Sequence, residues 1–159
     1  MSEYRLDELC EILDSKRVPL SAMQRAKRHG PYPYYGAQSV IDYVDDYLLD
    51  GEYLLVAEDG ANLVTRTQDI ANLVNGKIWV NNHAHILKAK SNFTNNNFLL
   101  LCLNNTDYTH FVSGSTRLKL TQTLMKKIPI PLPPKDEQER IVKKIDELFE
   151  ILEVIENSL

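Results

Sequence analysis

Two imidazoles, His83 and His85, stand two residues apart, a spacing that puts both rings on one face of a strand and comes closest in this chain to a metal-ligand pair. No carboxylate cluster lies near them in sequence, so no metal is assigned. The run Pro134-Lys135-Asp136-Glu137-Gln138-Glu139-Arg140 echoes a nuclease carboxylate pattern. Acids at the start of a helix explain it better, because they offset unpaired backbone N–H groups. There is no glycine-rich phosphate loop, no GxSxG and no Cys/His zinc spacing. The expectation is a chain with no catalytic residue and no cofactor.

The groups that remain can hold phosphates and read bases. Arginine and lysine neutralise phosphates, arginine also grips guanine, and asparagine matches the adenine edge. Asn81-Asn82-His83 follows a strand-like run, Asn62 sits beside Gly60 with Arg66 behind it, and Ser115-Thr116-Arg117 with Lys119 forms a hydroxyl-rich basic turn. Lys16, Arg17, Arg25, Lys27 and Arg28 form an acid-free basic stretch. Tyr34 and Tyr35 belong to Gly30-Pro31-Tyr32-Pro33-Tyr34-Tyr35-Gly36, a proline-stiffened loop whose three tyrosines are expected to stay partly exposed. Each feature alone is ordinary turn chemistry. Their accumulation outside the acidic segments points to nucleic acid.

The elements that must position these groups are partly legible. Residues 4–14 carry Leu6, Leu9, Cys10, Ile12 and Leu13 at helical spacing. Tyr53–Ala57, Lys77–Val80 and His83–Lys88 read as strands, the second following a turn at Asn75-Gly76. Phe98–Leu103 fits either a buried strand or the core of a helix over 94–104, and Asn95–Asn97 as caps favour the helix. Ile128–Pro134 holds four prolines and predicts a stiff extended stalk that leads the next helix away from the domain. Beyond it, Asp136 and Glu139 resemble a capping box. Ile141, Ile145, Leu148, Leu152, Ile155 and Leu159 then recur at alternating spacings of four and three, a heptad seam. Those six residues are the expected partner interface, on a helix of roughly 36 Å at 1.5 Å per residue. The predicted fold is mixed α/β (α+β) over residues 1–134, followed by a long amphipathic helix of coiled-coil type over 135–159.

Composition bounds the class. With 159 residues, 43% hydrophobic and 25% charged, the chain fits one soluble globular domain plus a helix. Its strongest apolar run, Phe98–Leu103, is far shorter than a membrane span, and the polar start Ser2-Glu3-Tyr4-Arg5 is unlike a signal peptide. Cys10 and Cys102 suit a reduced, cytoplasmic setting. The net charge of −4 is carried entirely by residues 135–159. Seven acids and no base lie in 37–59, between a basic stretch at 15–36 and a base-rich one at 60–134. Folding could gather the two basic stretches into one positive face.

One known family joins these features. Gly114-Ser115-Thr116-Arg117, Leu120, Leu124 and Ile128, then Ile130-Pro131-Leu132-Pro133-Pro134, Glu137-Gln138 and Arg140-Ile141-Val142 resemble the end of a target-recognition domain and the start of the helical spacer in type I restriction–modification specificity subunits. Tyr34-Tyr35-Gly36, Gly60-Ala61-Asn62 and Asn81-Asn82-His83-Ala84 are similar to further family features, so the resemblance covers essentially the whole chain. It implies a non-catalytic, sequence-specific subunit that binds double-stranded DNA, each recognition domain reading half of a split target. The spacer helix recruits methyltransferase (modification) subunits, and a restriction subunit joins the complex. Such subunits carry two recognition domains and two spacer helices; this chain has one of each. It could be a natural half-subunit forming a two-fold homodimer through the C-terminal helix, a fragment of a longer product, or an inactive remnant. A different-class alternative is a helix-mediated protein-interaction module that never touches DNA.

Overall fold

The computed structural model describes residues 2–159. In chain order the elements are β1 (Ser2–Arg5), α1 (Leu6–Leu9), β2 (Cys10–Ile12), α2 (Ala22–Ala26), β3 (His29–Tyr35), β4 (Val40–Val44) and β5 (Leu49–Ala57). They continue with α3 (Asn62–Thr65), β6 (Ala71–Val80), β7 (Ala84–Ala89), α4 (Asn96–Asn104), α5 (Gln122–Met125), β8 (Pro129–Leu132) and α6 (Lys135–Ser158). Six strands form one sheet in the order β2-β7-β5-β6-β3-β4, antiparallel except for β3 with β6; β1 and β8 pair separately as an antiparallel ribbon.

The unbroken apolar run in β5 is explained by its position, because a strand covered on both faces has no polar side. Leu54 and Val56 face the larger core, with Leu6, Leu9, Leu87 and the α4 residues Phe98, Leu99 and Leu103. Tyr53 and Leu55 face a second core with Val74, Ile78, Val80, Ala84 and Ile86. Helix α4 forms where the sequence predicts it, and Asn95 accepts from the Phe98 N–H at 2.9 Å as its cap. Among the described residues no helix is long and apolar enough to cross a membrane.

Four local expectations are corrected. Residues 4–14 are not one helix: only Leu6–Leu9 is helical, flanked by β1, which pairs with β8, and β2, which pairs with β7. A short helix is a weak competitor when ladder partners exist for its backbone on both sides. Asn75-Gly76 is not a turn; β6 runs through it, with Gly76 at φ +93° opposite Gly51. The proline-tyrosine stretch is strand β3 rather than a loop, and Tyr34 is fully buried with its hydroxyl donating to the Leu20 carbonyl. Its prolines are tolerated because β3 meets β6 only at Tyr34 and Tyr35, leaving the proline-bearing part paired on one side. A side chain at Gly30 would lie 2.4 Å from the Asp45 Cα and the Val44 carbonyl, so the close approach to β4 requires glycine there.

The fourth correction concerns the proline stalk. It is strand β8, hydrogen-bonded to β1, and the helix that follows begins docked rather than led away. Gln138 is buried in the first turns of α6: its side-chain oxygen accepts from Thr94 Oγ1 at 2.7 Å, and its Nε2 donates to the carbonyls of Phe93 (3.1 Å) and Pro133 (2.9 Å). Ile141 and Val142 pack on the larger core. Among the described residues no side chain caps α6; Asp136 accepts from the adjacent Glu137 N–H and from Arg140 one turn on, so the expected capping box does not form. From Leu148 onward every residue of the helix is exposed. Gln138→Ala should cost about 2 kcal/mol, since it strands a buried hydroxyl and two carbonyls. That corresponds to a thermal midpoint lowered by roughly 5 °C, measurable by circular dichroism.

Candidate nucleic-acid interface

A polar network begins at the segment between β2 and α2, which crosses from β7 to β6: Leu13 N donates to the Ile86 carbonyl and Val18 N to the Val80 carbonyl. Asp14 on this segment is buried. Its Oδ1 accepts from the Ile86 N–H at 2.9 Å, and its Oδ2 lies 2.7 Å from His85 Nδ1 and 3.1 Å from Gln122 Nε2. The other nitrogen of the fully buried His85 faces the Leu120 carbonyl at 2.6 Å. Burial pushes the Asp14 carboxyl up, but the hydrogen bond and charge of His85, with the bonds from Ile86 and Gln122, outweigh it and hold the group below its ordinary value. Arg17 joins the network through Asp14 at 3.7 Å and Glu58 at 3.4 Å, and also donates to the carbonyls of Ala84 and Asn82.

Nearer the surface, residues 113–120 fold back on the turn that follows β5. Ser113 and Lys119 exchange backbone bonds of 2.9 and 2.8 Å, Gly60 N donates to the Leu118 carbonyl, and Leu120 N donates to the Glu58 carbonyl. The buried carboxylate of Asp59 sits at this junction, 2.7 Å from His83 Nδ1 and 3.3 Å from Arg117 Nη2. Its side chain is 5% exposed, against 39% for His83 and 66% for Arg117. Ser115, Thr116, Lys119 and Asn82 are exposed beside them. Asn81 is buried and shapes the turn, its side-chain oxygen accepting from the His83 N–H at 2.8 Å.

The residues singled out from sequence therefore divide. Arg17, Asn82, His83, Arg117 and Lys119 come together around Glu58 and Asp59, with the Ser115-Thr116 tip alongside. Tyr35, half-buried, adjoins them through its carbonyl, which accepts from Asn81 N. Arg25 and Arg28 do not join that group. Arg25 binds Asp42 at 3.0 Å and lies over the Tyr34 ring; Arg28 binds Asp45 at 2.9 Å and lies over Trp79. The acidic segment thus folds onto the first basic stretch and pairs with Arg25 and Arg28, while Arg17 of that stretch joins Arg117 and Lys119 of the second. Lys16 and Lys27 are exposed. Asn62 is tied to Thr67 and Gln68 within its own loop and to Gln38 between β3 and β4, and Arg66 donates to the Asn104 carbonyl at the end of α4.

The histidine pair also separates. His83 precedes β7 and binds Asp59 at the surface, whereas His85 lies inside β7 against Asp14, so the rings do not share a strand face. Among the described residues no three His, Cys, Asp or Glu side chains converge to hold a metal ion. Burial raises the Cys10 thiol to about 12 and the Cys102 thiol to about 11, which leaves both protonated and unreactive. Asp14, Glu58, Asp59 and Gln122 are not among the residues singled out from sequence. Asp59 was visible only as a turn residue before Gly60, and no local signal tied it to residues 24 and 58 positions away.

Comparison with known proteins gives a consistent result. The family model described as the type I restriction modification DNA specificity domain matches residues 1–159. A protein of Haemophilus influenzae, named as a type I restriction enzyme specificity subunit, is 41% identical over 143 residues, which cover 90% of this chain and 36% of that protein. The solved S subunit of a type I restriction–modification system from M. genitalium superposes with a TM-score of 0.73 at 15% identity, over 98% of this chain and 41% of the other. A second solved chain, described with complex assembly and conformational transition of the type I R-M system, gives a TM-score of 0.71 at 19% identity, over 99% and 40%. At those identities the structures show a shared fold. The chain spans about two fifths of the length of these relatives.

Proposed function

This chain belongs to the type I restriction–modification DNA specificity family, and from that membership we propose that it is a cytoplasmic, non-catalytic subunit or half-subunit that reads one half of a split target in double-stranded DNA. The observation that carries the reading is the match of the family over the whole chain. The geometry supports it: residues 1–134 present exposed donors around Asp59, and α6 (Lys135–Ser158) is exposed from Leu148 onward. In this reading α6 docks methyltransferase subunits, a restriction subunit joins them, and two copies related by two-fold symmetry supply the second half-site. Lys16, Lys27, Asn82, His83, Ser115, Thr116, Arg117 and Lys119 are the side chains best exposed to meet the duplex. Arg17, Arg25, Arg28, Tyr34, Tyr35, Asn62, Arg66 and Asn81 act by shaping the surface that carries them.

Binding to duplex DNA at two salt concentrations tests this. Six phosphate contacts would weaken affinity by roughly a thousandfold between about 50 and about 200 mM salt. Binding that ignores salt, or no binding even with the methyltransferase subunits supplied, would leave only a protein-interaction module.

Two single substitutions separate contact from support. Lys119→Ala should lower DNA affinity and reduce the salt slope by about 0.9 for the phosphate that is no longer neutralised, with the thermal midpoint unchanged. Arg25→Ala should instead lower the midpoint by a few degrees, because it removes the cation paired with Asp42 and stacked on Tyr34. Equal loss of affinity with no loss of stability in Arg25→Ala would place that guanidinium on the DNA after all.

A further inference from the structure

Asp59 joins two loops that are far apart in sequence. A carboxylate can only accept, so the 2.7 Å contact requires His83 Nδ1 to carry the proton it donates. In the neutral ring this leaves Nε2, the other nitrogen of a side chain 39% exposed, as a hydrogen-bond acceptor. The second oxygen of the same carboxylate takes one N–H of Arg117 and restrains the plane of a guanidinium that is otherwise in solvent. Backbone bonds from Gly60 to Leu118 and from Leu120 to Glu58 hold the Asp59 turn against the Arg117 loop, and the Glu58 N–H, donating to the His83 carbonyl at 2.9 Å, holds it against the His83 loop. The result is an acceptor beside a forked set of donors, both referred to one buried anchor.

In the major groove a G·C pair presents a complementary pattern: guanine O6 and N7 accept, and the cytosine N4 amino group donates. Resting on the proposed DNA-recognition role, we infer that Asp59, His83 and Arg117 form one reading unit for a single G·C base pair, with Arg117 on guanine, His83 Nε2 on cytosine and Asp59 as the positioning residue. Asp59 touches no base. It removes the freedom of two exposed side chains, so the ordering cost is met on folding rather than on binding. It also gives the pair a fixed donor–acceptor order, which two free side chains would lack.

Selection from a duplex library with randomised positions tests the unit, using the full chain with its methyltransferase subunits. Arg117→Ala should relax the preference for G·C at one base pair by about tenfold to a hundredfold. His83→Ala should relax the same pair, and Asp59→Asn should reproduce the loss while other positions keep their preference. A role in stability alone would lower affinity for every sequence equally and leave the selected sequence unchanged; that outcome overturns the inference. Relaxation at two separate base pairs, or at an A·T pair, overturns it too. Should Asp59→Asn fail to fold, the two exposed substitutions still decide, since one carboxylate can serve as their common anchor only if they act on the same pair. If the native chain selects no sequence at all, it is the recognition role that fails, a result distinct from every variant outcome.

Discussion

Asp14→Ala is expected to cost about 3–5 kcal/mol of stability, the scale for breaking a buried, hydrogen-bonded charge pair. The substitution removes the acceptor of three hydrogen bonds and leaves His85 Nδ1, the Ile86 N–H and the Gln122 amide facing a void. His85 and the Ile86 N–H gain no water easily, because both residues are wholly enclosed, whereas Gln122 is half-buried. For a chain of this length the thermal midpoint should fall by roughly 10 °C or more. The acid dependence follows from the same site. The folded-state value of Asp14 is depressed, so its stabilisation is fully present above the unfolded carboxylate value of about 4 and is lost as pH falls through the lower folded value. Urea titrations at pH 7 and in the acid range should show a loss in the native chain that is smaller in Asp14→Ala. Equal midpoints for the two proteins at pH 7 would refute the assignment. The effect reaches the proposed DNA-facing surface, because His85 and Gln122 connect Asp14 to the segment that carries Arg117 and Lys119.

The opposite signature is expected at the far end of the chain. Leu148→Lys with Leu152→Lys should leave the domain folded and abolish assembly through α6. These leucines are 44% and 52% exposed and lie beyond the part of the helix held by Gln138, Ile141 and Val142. A buried leucine contributes about 1.5–3 kcal/mol, and a two-fold contact counts each position twice. Under the proposed two-fold pairing, self-association should weaken by a thousandfold or more, on the order of 4 kcal/mol or above. Sedimentation velocity and a thermal melt on the same samples check both halves of the expectation. A lowered midpoint with unchanged association would mean that the helix belongs to its own domain. A native chain that sediments as a monomer would exclude the two-fold pairing and leave the methyltransferase subunits as the occupant of this face.

The helices and strands recognised in the sequence share a property: their pattern is repeated along the chain or bounded by strong punctuation. The seam of α6 is legible because its alternating spacing of four and three persists from Ile141 to Leu159. The apolar run of β5 and the asparagine-capped α4 are legible for similar local reasons. Residues 4–14 misled because their apolar spacing suits a helix, while their backbone finds partners in β7 and β8, more than seventy positions away. The proline stretches misled in the same way. Proline forbids helix, but it does not reveal whether an extended segment stands free or joins an edge.

The amino-acid sequence by itself determined the element types with persistent period, the family resemblance and the inventory of groups that can meet DNA. Only the tertiary structure decided which of those groups are free to do so. Asp42 and Asp45 engage Arg25 and Arg28, Asp14 withdraws His85 into the interior, and Asp59 leaves His83 and Arg117 facing solvent under restraint. The physical reason is the range of the interactions. Backbone periodicity acts over a few residues, whereas a charge is assigned its partner by whatever the fold brings within about 4 Å.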